Sequence, residues 1–139
     1  MIKENDLRLN NLVKWNDSIQ KITAIAFGNC LLDKNPTADY PVKITEIEPI
    51  YLTEEWLLKA GFEKNLILRV FTIKEHIDFV IINYVDTDKT FRLFINCKSI
   101  NIKYVHQLQN LYFALHHEEL VFSSDRQHLC MYHKTKLKN

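Results

Sequence analysis

His128-Leu-Cys-Met-Tyr-His133 places three zinc-type donors within six residues, and His116-His117-Glu118-Glu119 sets two imidazoles beside two carboxylates. A structural zinc site needs four donors in a tetrahedron, usually supplied as two short paired spacings. The first string is only half of such a site, because the other cysteines, Cys30 and Cys97, are far away in sequence. In the second, neighbouring residues on a helix point about 100° apart, so His116 and His117 do not chelate one ion as an i, i+4 pair does. A polar helix end with histidines near free carbonyls explains them better. No metal site and no cofactor are expected.

Other chemistries find less. No serine stands in a Gly-x-Ser-x-Gly elbow, and two glycines in 139 residues are too few for a phosphate loop or a dinucleotide fingerprint. The pairs Glu54/Glu55 and Glu118/Glu119 fit helix ends, and carboxylates become acid/base candidates only when they converge on a cleft. The reading is therefore of a protein that is not an enzyme. Phe71, Phe79, Tyr84, Phe91 and Phe94 are aromatic and strand-borne, as base-stacking residues are. However, Thr90-Phe-Arg-Leu-Phe-Ile-Asn96 lacks the glycines of the RNA-recognition fingerprint, and core packing is the expectation for most of them.

With 47% hydrophobic and 25% charged residues, the chain has the balance of a globular domain or of two small lobes. The net charge is +1. Residues 123–139 carry Arg126, Lys134, Lys136 and Lys138 against Asp125, which is +3 and leaves −2 for the rest. Such a body lacks the basic footprint of a duplex binder, so any nucleic-acid contribution falls to this tail. Three widely spaced cysteines suit a reducing compartment rather than a disulfide framework. Met1-Ile-Lys-Glu-Asn-Asp6 has no apolar leader core, and no run approaches the roughly 18 apolar residues of a membrane span. A cytoplasmic protein with no membrane partner is expected.

The elements that must carry these residues are mostly strands. Asn11–Trp15, Gln20–Phe27, Cys30–Asp33 and Val42–Ile47 read as short strands, with Asn16-Asp17-Ser18 and Gly28-Asn29 as tight turns. Together they suggest a small SH3-like β-barrel lobe over residues 1–50. Thr53 is placed to cap a linking helix that carries Trp56, Leu57 and Ala60 on its buried stripe, and Gly61 to end it. Asn65–Lys74, Ile77–Val85, Thr90–Asn96 and Ser99–Lys103 then form an antiparallel meander, with a polar turn at Asp86–Lys89. A closing helix from about Tyr104 to Glu118 is expected to cover this sheet. Leu108, Leu111 and Leu115 would be buried, Gln107 and Asn110 would face water, and Leu120–Phe122 would add an edge strand. The fold class is α+β, with units at 1–50 and 51–122 and a basic tail at 123–139. Tyr112 and Phe113 face different directions, which leaves Tyr112 as a candidate contact residue beside Arg126, Lys134, Lys136 and Lys138.

Three stretches carry a resemblance: Asn5-Asp-Leu-Arg-Leu-Asn-Asn-Leu-Val13, Glu48-Pro-Ile-Tyr-Leu-Thr-Glu-Glu-Trp-Leu-Leu-Lys-Ala-Gly-Phe-Glu63 and Val105-His-Gln-Leu-Gln-Asn-Leu-Tyr-Phe-Ala-Leu-His-His-Glu-Glu-Leu120. Together they resemble a family of small proteins common on phages, prophages and mobile elements of Bacteroidota. The likeness runs from about residue 4 to residue 122. It departs where the family has Thr-Gly before Glu-Glu, since this chain has His116-His117 there, and the tail after Phe122 is an extension. The resemblance supplies no catalytic residue. It implies a protein that docks on a host macromolecule and blocks it, with an RNA-guided CRISPR nuclease, type VI-B among them, or its guide RNA as the target. The alternative is a nucleic-acid-binding accessory or regulatory module with no defence target. Neither reading fixes an oligomeric state.

Overall fold

The computed structural model describes residues 2–34, 41–83, 91–95 and 98–122. Its architecture is α+β and mostly strand, with two antiparallel sheets, one longer helix and one short one. The chain divides into two compact units. The first holds the residues up to Tyr51 together with Tyr104–Glu118, and the second holds Leu52–Lys103 with residues 119–122.

In the first unit, β1 (Leu12–Trp15), β2 (Ser18–Ala26), β3 (Asn29–Leu32) and β4 (Val42–Lys43) form a sheet in sequential order. The register shifts between Ile22 and Ala24 as β2 leaves β1 and joins β3. Irregularities of this kind bend a strand and increase its twist, which lets one long strand serve two neighbours. Ile2, Val13, Ile22, Cys30, Leu32, Val42, Ile44 and Ile47 make the core, with Leu7, Trp15 and Ile25 packed against it. The alternation read in the sequence thus turns one face of each strand inward.

Helix α2 (Val105–His116) belongs to this unit, not to the meander as the sequence suggests. It is held by buried amides. The Asn11 side-chain NH2 donates to Asn110 Oδ1 at 2.7 Å, and the Asn110 NH2 donates to the Asp6 carbonyl at 3.0 Å. The Leu12 N–H donates to Gln109 Oε1 at 2.8 Å, while the Gln109 NH2 donates to the Asn10 carbonyl at 3.0 Å. A face that reads as solvated is in fact a clamp: Gln109 is 2% exposed and Asn110 partly buried. Of the three expected core leucines, Leu108 is buried and Leu111 partly so, but Leu115 is 44% exposed.

In the second unit, α1 (Glu54–Lys59) starts as the sequence predicts, with the Trp56 N–H donating to Thr53 Oγ1 at 3.3 Å. Gly61, at φ 92°, ends it in the left-handed region. Leu57 and Ala60 are buried. Trp56 is only partly so, packed edge-on against Phe122 at 5.5 Å with the Lys59 ammonium 5.1 Å from its ring centre. Residues 120–122 form no strand, although Leu120 is buried.

The sheet of this unit runs β5 (Glu63–Asn65), β6 (Val70–Ile73), β7 (His76–Asn83), β8 (Phe91–Ile95) and β9 (Lys98–Ile102) in order. The sequence reads Asn65–Lys74 as one strand, but the structure breaks it into a hairpin. Asn65 Oδ1 accepts from the N–H groups of both Ile67 and Leu68 at 3.0 Å, and the Asn65 carbonyl accepts from the Arg69 N–H at 2.8 Å. An Asn that captures the backbone two and three residues ahead folds it into a turn, whatever the strand propensity of Leu and Ile. Phe71, Phe79 and Phe91 are core residues here, Phe71 in ring contact with Phe91 and Phe79 with Phe62. They offer no surface for stacking bases. Tyr84 and the expected turn at Asp86–Lys89 lie outside the described residues.

Candidate functional site

The chain's most exposed large apolar side chain is set on the first unit, among the described residues. Ala26 pairs with Asn29, so the hairpin joining β2 to β3 has a two-residue loop, Phe27-Gly28. Both have positive φ, 53° and 76°, the requirement of a type I′ turn, whose twist matches the flanking strands. The sequence places this turn one residue later, at Gly28-Asn29. The difference matters because Phe27 then occupies a position that Asn, Asp or Gly normally fills. Nothing lies within 4 Å of a Cβ built on Gly28, so conformation rather than space selects glycine there.

Phe27 is 98% exposed. A non-glycine residue in the left-handed region costs roughly 1–2 kcal/mol. Leaving a phenylalanine in water also forgoes the roughly 1.5–3 kcal/mol its burial would contribute. The fold gains nothing from this ring, yet it holds the tip firmly. The Gly28 N–H donates to Glu4 Oε1 at 3.1 Å, the Asn29 side-chain NH2 to the Phe27 carbonyl at 3.1 Å, and the Ile44 N–H to the Gly28 carbonyl at 3.0 Å. A strained, fully presented aromatic on a braced turn is suited to filling a pocket on another macromolecule.

The residues singled out from sequence are placed differently. Tyr112, expected as a contact residue, is 2% exposed, and its hydroxyl donates to Glu118 Oε1 at 3.2 Å. Its ring meets His116 edge-on at 4.7 Å. Its neighbour Phe113 is the partly exposed one, with the Arg8 guanidinium 4.1 Å from its ring centre. The helix turns Tyr112 inward because it shares a stripe with Val105, Leu108 and Gln109. Arg126, Lys134, Lys136 and Lys138 lie outside the described residues, as do His128, Cys130 and His133.

His117 takes the left-handed position that ends α2, at φ 57°, so the His-His-Glu-Glu string is indeed a helix terminus. Among the described residues no group of three or more His, Cys, Asp and Glu is arranged to hold a metal ion. The Cys30 thiol is buried, and burial pushes its pKa up, which suppresses the reactive thiolate. His106 is buried with its Nδ1 atom unpartnered and its ring stacked on Tyr104 at 5.6 Å. Burial pushes its pKa down, and the carboxylate of Asp6 opposes that shift. Sequence reading missed Phe27, although an aromatic directly before one of only two glycines was the available signal. No described helix is long and apolar enough to cross a membrane. No protein-family model, curated protein or solved structure matches the chain.

Proposed function

We propose that this protein is a non-enzymatic binding module of a phage or mobile element that docks on a host defence factor in the bacterial cytoplasm and inhibits it. The target class is an RNA-guided CRISPR nuclease, type VI-B in the first instance, engaged on the effector protein, its guide RNA or both. The observation that carries the docking role is Phe27, a fully exposed ring on a braced, conformationally costly turn. The target class rests on the resemblance of residues 4–122 to the mobile-element family. In this reading the first unit is an SH3-like barrel used as a display scaffold, its hairpin tip carrying the anchor. Lys134, Lys136, Lys138 and Arg126 add contacts to the guide's phosphates, since lysine and arginine cations pair with a phosphate backbone without a shaped pocket.

Gel filtration of a guide-loaded type VI-B effector with the full chain tests this. Co-elution that Phe27→Asn abolishes is the expected result, because Asn suits the left-handed turn position and removes only the ring. Co-elution unaffected by Phe27→Asn overturns the anchor. The absence of any complex with effectors of the host group overturns the target class.

A further inference from the structure

The second unit carries an exposed feature of different chemistry. Leu66, Ile67 and Leu68, at the β5–β6 turn, are 78, 92 and 67% exposed. All three side chains are aliphatic and sit on a convex tip rather than in a groove. Protein docking anchors are enriched in Trp, Tyr and Arg, with Leu under-represented. A convex aliphatic tip instead suits a soft partner with no pocket to match.

Three backbone donors of the tip are already taken within it. Placing an unpaired N–H in hydrocarbon costs several kcal/mol, and this limits which loops enter a bilayer. Here the N–H groups of Ile67 and Leu68 are both taken by Asn65 Oδ1, and that of Arg69 by the Asn65 carbonyl. The three residues can therefore leave water without stranding these donors. Arg69 follows immediately, exposed and at φ 56°, and its guanidinium makes no ion pair among the described residues. The neighbouring charges are already matched, Lys64 with Glu54 at 3.0 Å and Lys74 with Glu63 at 3.7 Å. One unmatched cation at the base of an apolar tip complements phosphate headgroups when the tip rests just below them.

From this arrangement we infer that Leu66-Ile67-Leu68 with Arg69 is a peripheral docking turn for an anionic lipid surface. It enters the interface and does not span the bilayer, so it needs no long apolar run. The inference stands apart from the proposed inhibitor role, since it uses a different unit and different residues.

Co-sedimentation of the full chain with vesicles of phosphatidylcholine and phosphatidylglycerol (3:1), alongside pure phosphatidylcholine vesicles, tests it. Binding to the anionic vesicles is expected, with Ile67→Asp weakening it by about tenfold or more, since it removes the most exposed apolar side chain of this tip. Arg69→Gln should narrow the preference for anionic over neutral vesicles. Ile67 is on the surface, so Ile67→Asp should melt as the wild type does, and Ile67→Trp should blue-shift in emission when vesicles are added. No binding to either vesicle overturns the inference. So does binding that Ile67→Asp leaves unchanged, which would assign it to the basic residues after position 123. Sedimentation without vesicles that Ile67→Asp abolishes would make the tip a contact between two copies, and also overturns it.

Discussion

Replacing Gln109 with Met tests the amide clamp that fixes α2. Met keeps the length of the side chain but removes both of its polar atoms. The Leu12 N–H then loses the acceptor it reaches at 2.8 Å, and the Asn10 carbonyl loses a donor at 3.0 Å. A buried donor left unmet costs about 1–3 kcal/mol, and losing a neutral hydrogen bond at the carbonyl adds about 0.5–1.5 kcal/mol. The two add to about 1.5–4.5 kcal/mol, and since Leu12 is only partly buried and some water reaches it the expected loss is about 1.5–3 kcal/mol. For a chain of this length that lowers the melting temperature by roughly 5–10 °C. Urea unfolding followed by Trp15 fluorescence, in a Trp56→Phe background, reads the first unit directly. A change below about 0.5 kcal/mol, the scale of an ordinary surface substitution, would refute the clamp.

Stability should also depend on pH. His106 is pushed below its usual value, chiefly by burial, so the folded state binds its proton less readily than the unfolded state. The neutral form carries no penalty above about pH 6.5, and stability is lost as pH falls through and below that value. Melting curves between pH 7.5 and 5.5 should show the loss, and His106→Gln should flatten it. Leu108→Ala should cost about 2–5 kcal/mol as a core truncation. Leu115→Ala should cost less than about 0.5 kcal/mol, as a surface change. Equal effects in urea titrations would mean that the helix face is misassigned. Phe27→Asn should raise stability by roughly 1 kcal/mol by relieving the left-handed strain; a loss in a melting experiment would show that the ring supports the fold.

Local signals were legible and distant ones were not. Thr53 and Gly61 bound α1 because capping depends on residues within one turn. The α+β class followed from alternation along the strands, which needs no partner to be recognised. The break at Leu66–Arg69 was hidden, because strand-prone aliphatics outweigh the side chain of Asn65 until its bonds to two backbone N–H groups are seen. The polar stripe Gln109-Asn110 looks like a solvated face because its partners, Asn10, Asn11 and Leu12, lie nearly a hundred residues away. Tyr112 is hard to place for a related reason: adjacent aromatics on a helix must diverge, but which one turns inward depends on what the helix packs against. At the candidate site, the turn signal was read correctly to within one residue, and that one residue decides whether Phe27 belongs to a strand or to an exposed tip.

The most direct measurement of the functional proposal is a titration of target-RNA cleavage by a guide-loaded type VI-B effector against the wild-type chain and Phe27→Asn. The account predicts that wild type suppresses cleavage as it reaches stoichiometry with the effector, and that Phe27→Asn, equally folded, does not. Undiminished cleavage at excess wild type, or equal inhibition by both proteins, would contradict it.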